Sequence, residues 1–345
     1  MKFLMNKYEG KRGFAAKLLC LNLAVLMLLA SCGKGGTASK ENTASGGENK
    51  NTSVVDNSNR KSSVPEKYSK LVWSDEFDGD KLDMSKWTHA NDMGISKDCV
   101  TLTDPEHLYV KDGEIVFKGD HYSNPVNPDI KYADAPSIQT KYAMNFRYGY
   151  VEMCAKLPFT STSWPALWTR TMINCNTYTE ADPTFMGEVD VFECFASVDT
   201  IVPSLHKWFT RAAQANGMPV HTEIKGLYKN KYTFEEIENL KNEYHVYGWE
   251  WTSEYMAMFV DGEEYNSFLL QDENDFDGYG NMSGFRVPMH LLVGAGAVTP
   301  ETAPEFILNS VGEPKAEDFP YEMKVDYIRV YQNPDDKESQ LLLNE

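Results

Sequence analysis

Three acidic residues stand inside an otherwise apolar stretch near the middle of the chain. Residues 187–193 read GEVDVFE, and the β-branched and aromatic residues there favour a strand. Because side chains alternate along a regular strand, Glu188 and Asp190 would share one face while Glu193 pointed to the other. A one-residue bulge between Asp190 and Glu193 would restore the phase, so that all three acids face one side and Cys194 turns inward.

The spacing of these acids suits one kind of chemistry. Glu188 and Glu193 would lie about four strand steps, roughly 13 Å, apart along the chain. If both side chains lean inward, their carboxyls come to about 5 Å, the separation of a retaining glycosidase. Asp190 between them can shift protons, so that one Glu ionises while the other stays protonated. On these residues alone, a solvated acidic strand face or half of a calcium site is an equal alternative.

The elements that must position the acids are short strands. Asp-Gly pairs at 112–113 and 261–262 separate apolar segments and predict hairpins. Residues 149–157 alternate in polarity, and residues 321–331 predict a final strand. Many strands in a row predict an all-β fold, either a two-sheet sandwich or a barrel.

One short helix is expected in this fold, beginning at Thr233. Glu236 completes a capping box with Thr233, and apolar residues follow at helical spacing. Long connections are predicted at 173–185, 210–232 and 270–286, and such loops on a sandwich often carry binding function.

The chain resembles glycoside hydrolase family 16 along the whole region from Tyr68 to Gln332. The active strand in the bulged branch of that family reads Glu-x-Asp-x-x-Glu, as residues 188–193 do here. The other matching blocks, in order, are LVWSDEFDG at 71–79, the stretch from GYVE at 149–152 to KLP at 156–158, WPALW at 164–168, YGWEW at 247–251 and VDYIRVYQ at 325–332.

The resemblance implies a fold, an activity and roles for the three acids. The fold would be a concanavalin A-like jelly-roll sandwich with a substrate cleft across its concave sheet. The activity would be endo-cleavage of β-linked glucans or galactans with retention. By position, Glu188 matches the nucleophile, Glu193 the acid/base and Asp190 the supporting acid. No cofactor is expected for catalysis.

Candidate sugar contacts also follow from the resemblance. Trp164 and Trp168 match the tryptophans of the cleft, although a single Trp is more often a core residue. His206 follows the active strand where the family often has a cleft histidine, with Trp208 beside it; a structural His is the alternative. Arg147 and Glu250 stay open between cleft lining and ion pairs within the sandwich.

A structural calcium ion is expected because many relatives bind one on the convex side. Glu76, the backbone carbonyl of Gly113 and Asp326 match its ligands, and oxygen ligands suit Ca²⁺. The alternative is that Glu76 and Asp326 make only surface hydrogen bonds.

The first 65 residues predict a membrane-anchored secreted protein. Residues 1–32 combine a basic start, an apolar run and Leu-Ala-Ser-Cys, which resembles a bacterial lipobox with Cys32 as the lipid-bearing residue. An ordinary signal peptide with a chance Cys is the alternative. Residues 33–65 are too polar to bury a core and predict a disordered tether. The catalytic domain would cover 66–334 and a tail 335–345, with the protein periplasmic or at the cell surface and the lipid as its only membrane contact.

Composition limits the partners. The net charge of −18 argues against nucleic acid and favours a neutral polysaccharide as the partner of a monomeric protein. Four cysteines remain beyond the anchor, and they are expected to be small buried residues or to form at most one disulfide. They are Cys99, Cys154, Cys175 and Cys194.

Three functions stay open. The first is an endo-β-glycanase acting on β-1,3- or mixed β-1,3/1,4-linked glucan. The second is the same chemistry on a galactan or a host mucin-type glycan, because residues 182–186 lack the tryptophan that glucan-cutting members often carry before the nucleophile. The third is a surface glycan-binding lipoprotein without catalysis.

Overall fold

The computed structural model describes most of the region that was expected to fold. The described residues are 62, 64–90, 104–123, 131–171, 185–194, 200–224, 232–233, 240, 243–271, 281–298 and 315–343. Within them, no helix reaches the length and apolarity that a membrane crossing needs. The predicted lipobox, nearly all of the tether, and Cys99 and Cys175 lie outside the described residues.

Two antiparallel sheets form the sandwich. The first sheet runs in the order β16-β15-β14-β8-β18-β4-β3, with β1 added beside β18 and β5 beside β4. Its strands are β1 (Lys70–Asp75), β3 (Leu108–Lys111), β4 (Glu114–Ser123), β5 (Lys131–Asp134), β8 (Gly149–Lys156), β14 (His245–Trp251), β15 (Tyr255–Val260), β16 (Glu263–Leu269) and β18 (Tyr321–Gln332).

The second sheet carries the acidic strand near its middle. It runs in the order β12-β11-β10-β9-β17-β6-β2, with β13 beside β11, β7 beside β17 and β19 beside β7. Its strands are β2 (Thr88–His89), β6 (Ser137–Gln139), β7 (Met144–Arg147), β9 (Ala166–Thr171), β10 (Phe185–Glu193), β11 (Thr200–Phe209), β12 (His221–Ile224), β13 (Tyr232–Thr233), β17 (Met289–Gly294) and β19 (Gln340–Leu343).

The core between the sheets is rich in aromatic side chains. Trp249 and Trp251 of β14 are fully buried and stack with ring centroids 5.3 Å apart. Phe192 of β10 packs against Tyr247 of β14 at 4.5 Å, which joins the acidic strand to the opposite sheet. The all-β sandwich expected from the sequence is therefore confirmed.

Both predicted hairpins are present. Asp112-Gly113 connects β3 to β4, and Asp261-Gly262 connects β15 to β16. All four residues have positive φ, between 52° and 85°. Two consecutive left-handed residues form the tight turn that matches the twist of the flanking strands, and Asp-Gly tolerates that conformation.

The body of the predicted helix lies outside the described residues. Thr233 belongs to the two-residue strand β13, and residues 234–239 lie outside the described part of the chain. The α-helix that is described, α1 (Arg211–Ala215), falls inside the predicted connection 210–232. Thr210 caps it, since its hydroxyl accepts a hydrogen bond from the backbone N–H of Ala213 at 3.2 Å.

The C-terminal segment belongs to the sandwich. Residues 340–343 form β19, which pairs with β7 at the edge of the second sheet. Arg147 of β7 donates two side-chain hydrogen bonds to the carbonyl of Glu338, at 3.0 and 2.8 Å. The folded domain therefore extends past residue 334 into the segment that the sequence suggested was a tail.

Candidate active site

A cleft of about 740 Å³ crosses the outer face of the second sheet. Strands β6, β9, β10, β11, β12 and β17 contribute to its floor and walls. All three acids of β10 line it, as do the four candidate sugar contacts, Trp164, Trp168, His206 and Trp208. These seven side chains therefore lie together in one cleft, and their roles stay predictions.

The bulge that brings the acids together is present. On β11, Ser204 is the Cα partner of Asp190 and Val202 is that of Glu193, so two residues of β10 oppose one residue of β11. Val191 and Phe192 at the bulge are both fully buried, and Cys194 turns into the core as predicted. The bulge therefore places Glu193 on the same face as Glu188 and Asp190.

A tyrosine from the opposite sheet holds the bulge. The hydroxyl of Tyr265, on β16, donates a hydrogen bond to the backbone carbonyl of Val191. Tyr265 is 5% exposed. A bulge interrupts the regular ladder, and a buried carbonyl without a partner is costly, so this bond supports the local geometry that aims Glu193.

The residue before the nucleophile candidate must be small. A Cβ on Gly187 would lie 2.6 Å from the backbone oxygen of Gly284, in the 3-10 turn Ser283–Phe285. That turn packs under β10, and Phe285 stacks edge-on with Phe185 at 5.2 Å. The glycine thus lets the turn approach and support the strand directly beneath Glu188.

The register of β9 sets a residue opposite each acid. Arg170 is the Cα partner of Glu188, Trp168 that of Asp190 and Ala166 that of Glu193. The Arg170 Nε lies 3.4 Å from an oxygen of Glu188, with side-chain exposures of 29% and 14%. Arg170 was not predicted as a site residue, although its position two residues after Trp168 places it on the same strand face.

Trp164 contacts the second glutamate directly. Its indole Nε1 donates a hydrogen bond to Oε1 of Glu193 at 2.9 Å. The backbone N–H of Trp164 bonds to the carbonyls of Ala295 and Gly296, which fixes the residue at the edge of the cleft. Trp164 therefore both borders the cleft and orients Glu193.

Strand β11 places polar side chains on the other flank of β10. His206 is the Cα partner of Glu188, and Ser204 is that of Asp190. Ser204 donates a hydrogen bond to Oδ2 of Asp190 at 2.7 Å, and Nε2 of His206 lies 2.9 Å from the same oxygen. One ligand atom each from Glu188, Asp190 and His206 lies within 4.8 Å of the others. These bonds engage Asp190 within the protein.

Strand β12 adds a residue that the sequence analysis missed. Nε2 of His221 lies 2.8 Å from Nδ1 of His206, and the His221 ring stacks on Trp208 with centroids 4.2 Å apart. A signal was available, because His221 and Glu223 alternate with Thr222 and Ile224. The pairing of this segment with β11 was not visible in the sequence.

The two glutamates differ in proton affinity. Burial and the charge of Asp190 raise the pKa of Glu188 to about 7, against the opposing effects of Arg170 and His206. Burial and the charge of Asp190 also raise the pKa of Glu193 well above its ordinary range, although the bond from Trp164 favours the ionised form. Both carboxyls are therefore shifted toward their protonated forms, and Arg170 and His206 act on Glu188 in the opposite direction.

The predicted calcium ligands are arranged differently from the expectation. Arg329 donates two hydrogen bonds to the two carboxylate oxygens of Glu76, at 2.9 and 2.6 Å. Gly113 lies in the β3–β4 turn, and Asp326 is half-buried on β18. A guanidinium thus holds both oxygens of Glu76, and calcium at this position stays a prediction.

The remaining open residues take structural positions. Glu250 is buried and accepts hydrogen bonds from Tyr68 and Tyr255, at 2.9 and 2.8 Å. Cys154 and Cys194 are small buried residues, as expected for two of the four cysteines.

The fold and the site together define a class of protein. A jelly-roll sandwich whose cleft lies over a bulged strand, with a pair of carboxyl groups of raised pKa in that cleft, is the arrangement of a carbohydrate-cleaving hydrolase. A family model described as "Beta-porphyranase A-D, GH16 domain" matches residues 69–333. The chain belongs to glycoside hydrolase family 16.

Several known proteins are similar over most of the domain. "Glucan endo-1,3-beta-glucosidase A1" of Niallia circulans is 29% identical over 76% of this chain, which spans 37% of that protein's length. "Beta-glucanase" of Rhodothermus marinus is 27% identical over 76% of this chain and 84% of its own length. "Keratan-sulfate endo-1,4-beta-galactosidase" of Sphingobacterium multivorum is 25% identical over 76% of this chain and 55% of its own length.

A solved structure shares the fold. It is described as SCLam, a non-specific endo-beta-1,3(4)-glucanase from family GH16, and is 24% identical to this chain with a TM-score of 0.57. The match covers 78% of this chain and 93% of that one.

Proposed function

We propose that this protein is an endo-acting, retaining β-glycanase whose first substrate is a β-1,3- or mixed β-1,3/1,4-linked glucan. The observation that carries the reaction type is the bulge of β10, which places Glu188, Asp190 and Glu193 together in one cleft. A glucan is supported as the substrate by the names of the Niallia circulans and Rhodothermus marinus relatives.

In the proposed reaction the two glutamates act in sequence. The carboxylate of Glu188 attacks the anomeric carbon while the carboxylic acid of Glu193 gives its proton to the departing glycosidic oxygen. The resulting glycosyl ester on Glu188 is then attacked by water, which loses its proton to Glu193. Two inversions give net retention. The raised pKa of Glu193 suits the acid role, and the contact with Arg170 favours the ionised form of Glu188.

Asp190 would serve as a charge between the two glutamates. It raises the proton affinity of both, and it is itself held by Ser204 and His206. A carboxylate in this place raises the pKa of the acid/base, while Arg170 and His206 offset the same effect on the nucleophile.

A galactose-containing polymer is the second candidate substrate. The description of the matching family model and the name of the Sphingobacterium multivorum relative favour it. The absence of a tryptophan in residues 182–186 also favours it, since an axial hydroxyl leaves less of the sugar face flat for stacking.

The test is a substrate panel. Wild type and Glu188→Gln would be incubated with laminarin, mixed-linkage β-glucan, porphyran, keratan sulfate and mucin glycans, and new reducing ends would be quantified. Release from the first two alone supports the glucanase proposal, and release from the galactose-containing polymers alone transfers it to the second candidate. Binding without new reducing ends on any polymer would support the non-catalytic alternative.

We also propose that the protein is a lipoprotein anchored through Cys32, at the periplasmic or outer surface of a bacterial membrane. The order of basic start, apolar run and Leu-Ala-Ser-Cys supports it. Cys32→Ala should move the protein from the membrane fraction to the soluble fraction of a bacterial host. Retention of that variant in the membrane fraction would contradict the anchor.

A further inference from the structure

The cleft holds two neighbouring imidazoles, those of His206 and His221, and His221 has no part in the reaction as proposed. We propose that His221 is a positioning residue, which accepts a hydrogen bond from Nδ1–H of His206 and keeps that ring as an imidazolium directed at Asp190. The catalytic consequence rests on the proposed function, whereas the state of the two rings can be measured without turnover.

The hydrogen bonds fix the orientation of His206. Nε2 of His206 lies 2.9 Å from Oδ2 of Asp190, and its Nδ1 lies 2.8 Å from Nε2 of His221. A carboxylate can only accept, so Nε2 of His206 carries a hydrogen. Ser204 donates to the same carboxylate, and its oxygen lies 2.9 Å from Nε2 of His206.

The surrounding charges place the remaining proton on His206. Among the described residues, Asp190 and Glu188 face it from β10, and Glu223, its Cα partner on β12, faces it from the other side. Burial alone would lower the pKa of His206, but its bond to Asp190 and these negative charges raise the pKa instead. Burial and the neighbouring His206 lower the pKa of His221, so His221 is the neutral acceptor of the pair.

An imidazolium in this place acts on the nucleophile. It lies within 4.8 Å of a carboxylate oxygen of Glu188 and lowers the pKa of that group, as Arg170 does from the opposite flank. Loss of the His221 acceptor would remove the hydrogen bond to Nδ1–H of His206 and so lower the pKa of His206. At a slightly acidic pH a smaller fraction of the enzyme would then carry an ionised Glu188.

His221 also stacks on Trp208, at 4.2 Å and an interplanar angle of 30°. A ring pair of this kind could bind a sugar face, which would be a different role. Two substitutions separate the roles. His221→Phe keeps a ring for stacking but has no acceptor, and His221→Gln keeps an acceptor near Nε2 but has no ring.

The experiment combines two measurements on wild type and both variants. Imidazole NMR titration follows His206, and kcat/KM is measured from pH 5 to 9 on the best polymer of the panel. In His221→Phe, we expect the pKa of His206 to fall by about one unit and the acid limb of kcat/KM to move up by about half as much, because His206 acts on Glu188 only through its charge. Near pH 6 this gives roughly a threefold loss, with KM little changed, and His221→Gln should restore most of the activity.

The reverse pattern would overturn the inference. In that pattern His206 titrates as in wild type, His221→Phe keeps its activity, and His221→Gln loses activity through a raised KM. This result would mean that His221 stacks on the sugar instead of positioning His206. If no polymer is cleaved but the pKa of His206 still falls in His221→Phe, the positioning of His206 stands and the proposed function fails.

Discussion

Glu188 lies in a place that favours its protonated form, so its removal should stabilise the fold in a pH-dependent way. A pKa of about 7, against an ordinary value of 4.5, means that ionisation is disfavoured in the folded state. Each tenfold change in proton affinity is about 1.4 kcal/mol, so the full difference is about 3 kcal/mol. The side chain is 14% exposed, so solvent screens this effect little.

The sign of the effect follows from linkage. Below pH 4.5 Glu188 is largely protonated in both the folded and the unfolded chain, and its burial then brings no ionisation penalty. Above pH 7 it is ionised in both, and the folded state bears the full penalty. Glu188→Gln removes the ionisable group, so its free energy of unfolding should exceed that of wild type by about 3 kcal/mol at pH 8 and by little at pH 4.

The assay is urea unfolding or thermal melting of both proteins at pH 4 and pH 8. For a domain of this size, about 3 kcal/mol corresponds to a rise in Tm of roughly 5–10 °C at pH 8. Glu254→Gln, at an exposed position in the β14–β15 turn, is the matched control and should change Tm little at either pH. An equal gain for Glu188→Gln at both pH values, or no gain at pH 8, would refute the reasoning.

Three further predictions concern the cleft and its support. Trp164→Ala and Trp168→Ala should each lower kcat/KM by roughly tenfold to a hundredfold, because a stacked ring contributes about 1–3 kcal/mol to binding. If either variant unfolds but keeps normal activity per folded molecule, that Trp is a core residue instead. Tyr265→Phe should lower the free energy of unfolding by about 1–3 kcal/mol in urea titrations, since the buried carbonyl of Val191 loses its partner. An unchanged urea midpoint would show that Tyr265 does not stabilise the bulge. Proton NMR of the first-formed reducing ends should show the β-anomer from a β-linked polymer, and an initial α-anomer would exclude double displacement.

The bulge in the active strand was predictable because its three acids do not follow the alternation of a regular strand. Glu188 and Asp190 share strand parity, and Glu193 does not, so a bulge was needed to unite them, and it lies where the pattern required. The Asp-Gly hairpins were predictable for a similar local reason, since few residue pairs adopt two consecutive positive φ values readily.

Features that depend on pairing between distant segments were missed. His221 enters the cleft only because β12 adds to the edge of β11, and β19 joins the sandwich only through its pairing with β7. Glu76 matched a calcium ligand by position, but its carboxylate is held by Arg329 from β18.

The roles of the two glutamates are tested most directly by azide rescue with an activated aryl β-glycoside. Glu193→Ala should still form the glycosyl ester on Glu188, which azide then attacks from the β face, so the variant should regain activity and yield the β-glycosyl azide. Glu188→Ala should yield the α-glycosyl azide, because azide then replaces the nucleophile in a single inversion. An α product from Glu193→Ala, or a β product from Glu188→Ala, would contradict the assignment of Glu188 as nucleophile and Glu193 as acid/base.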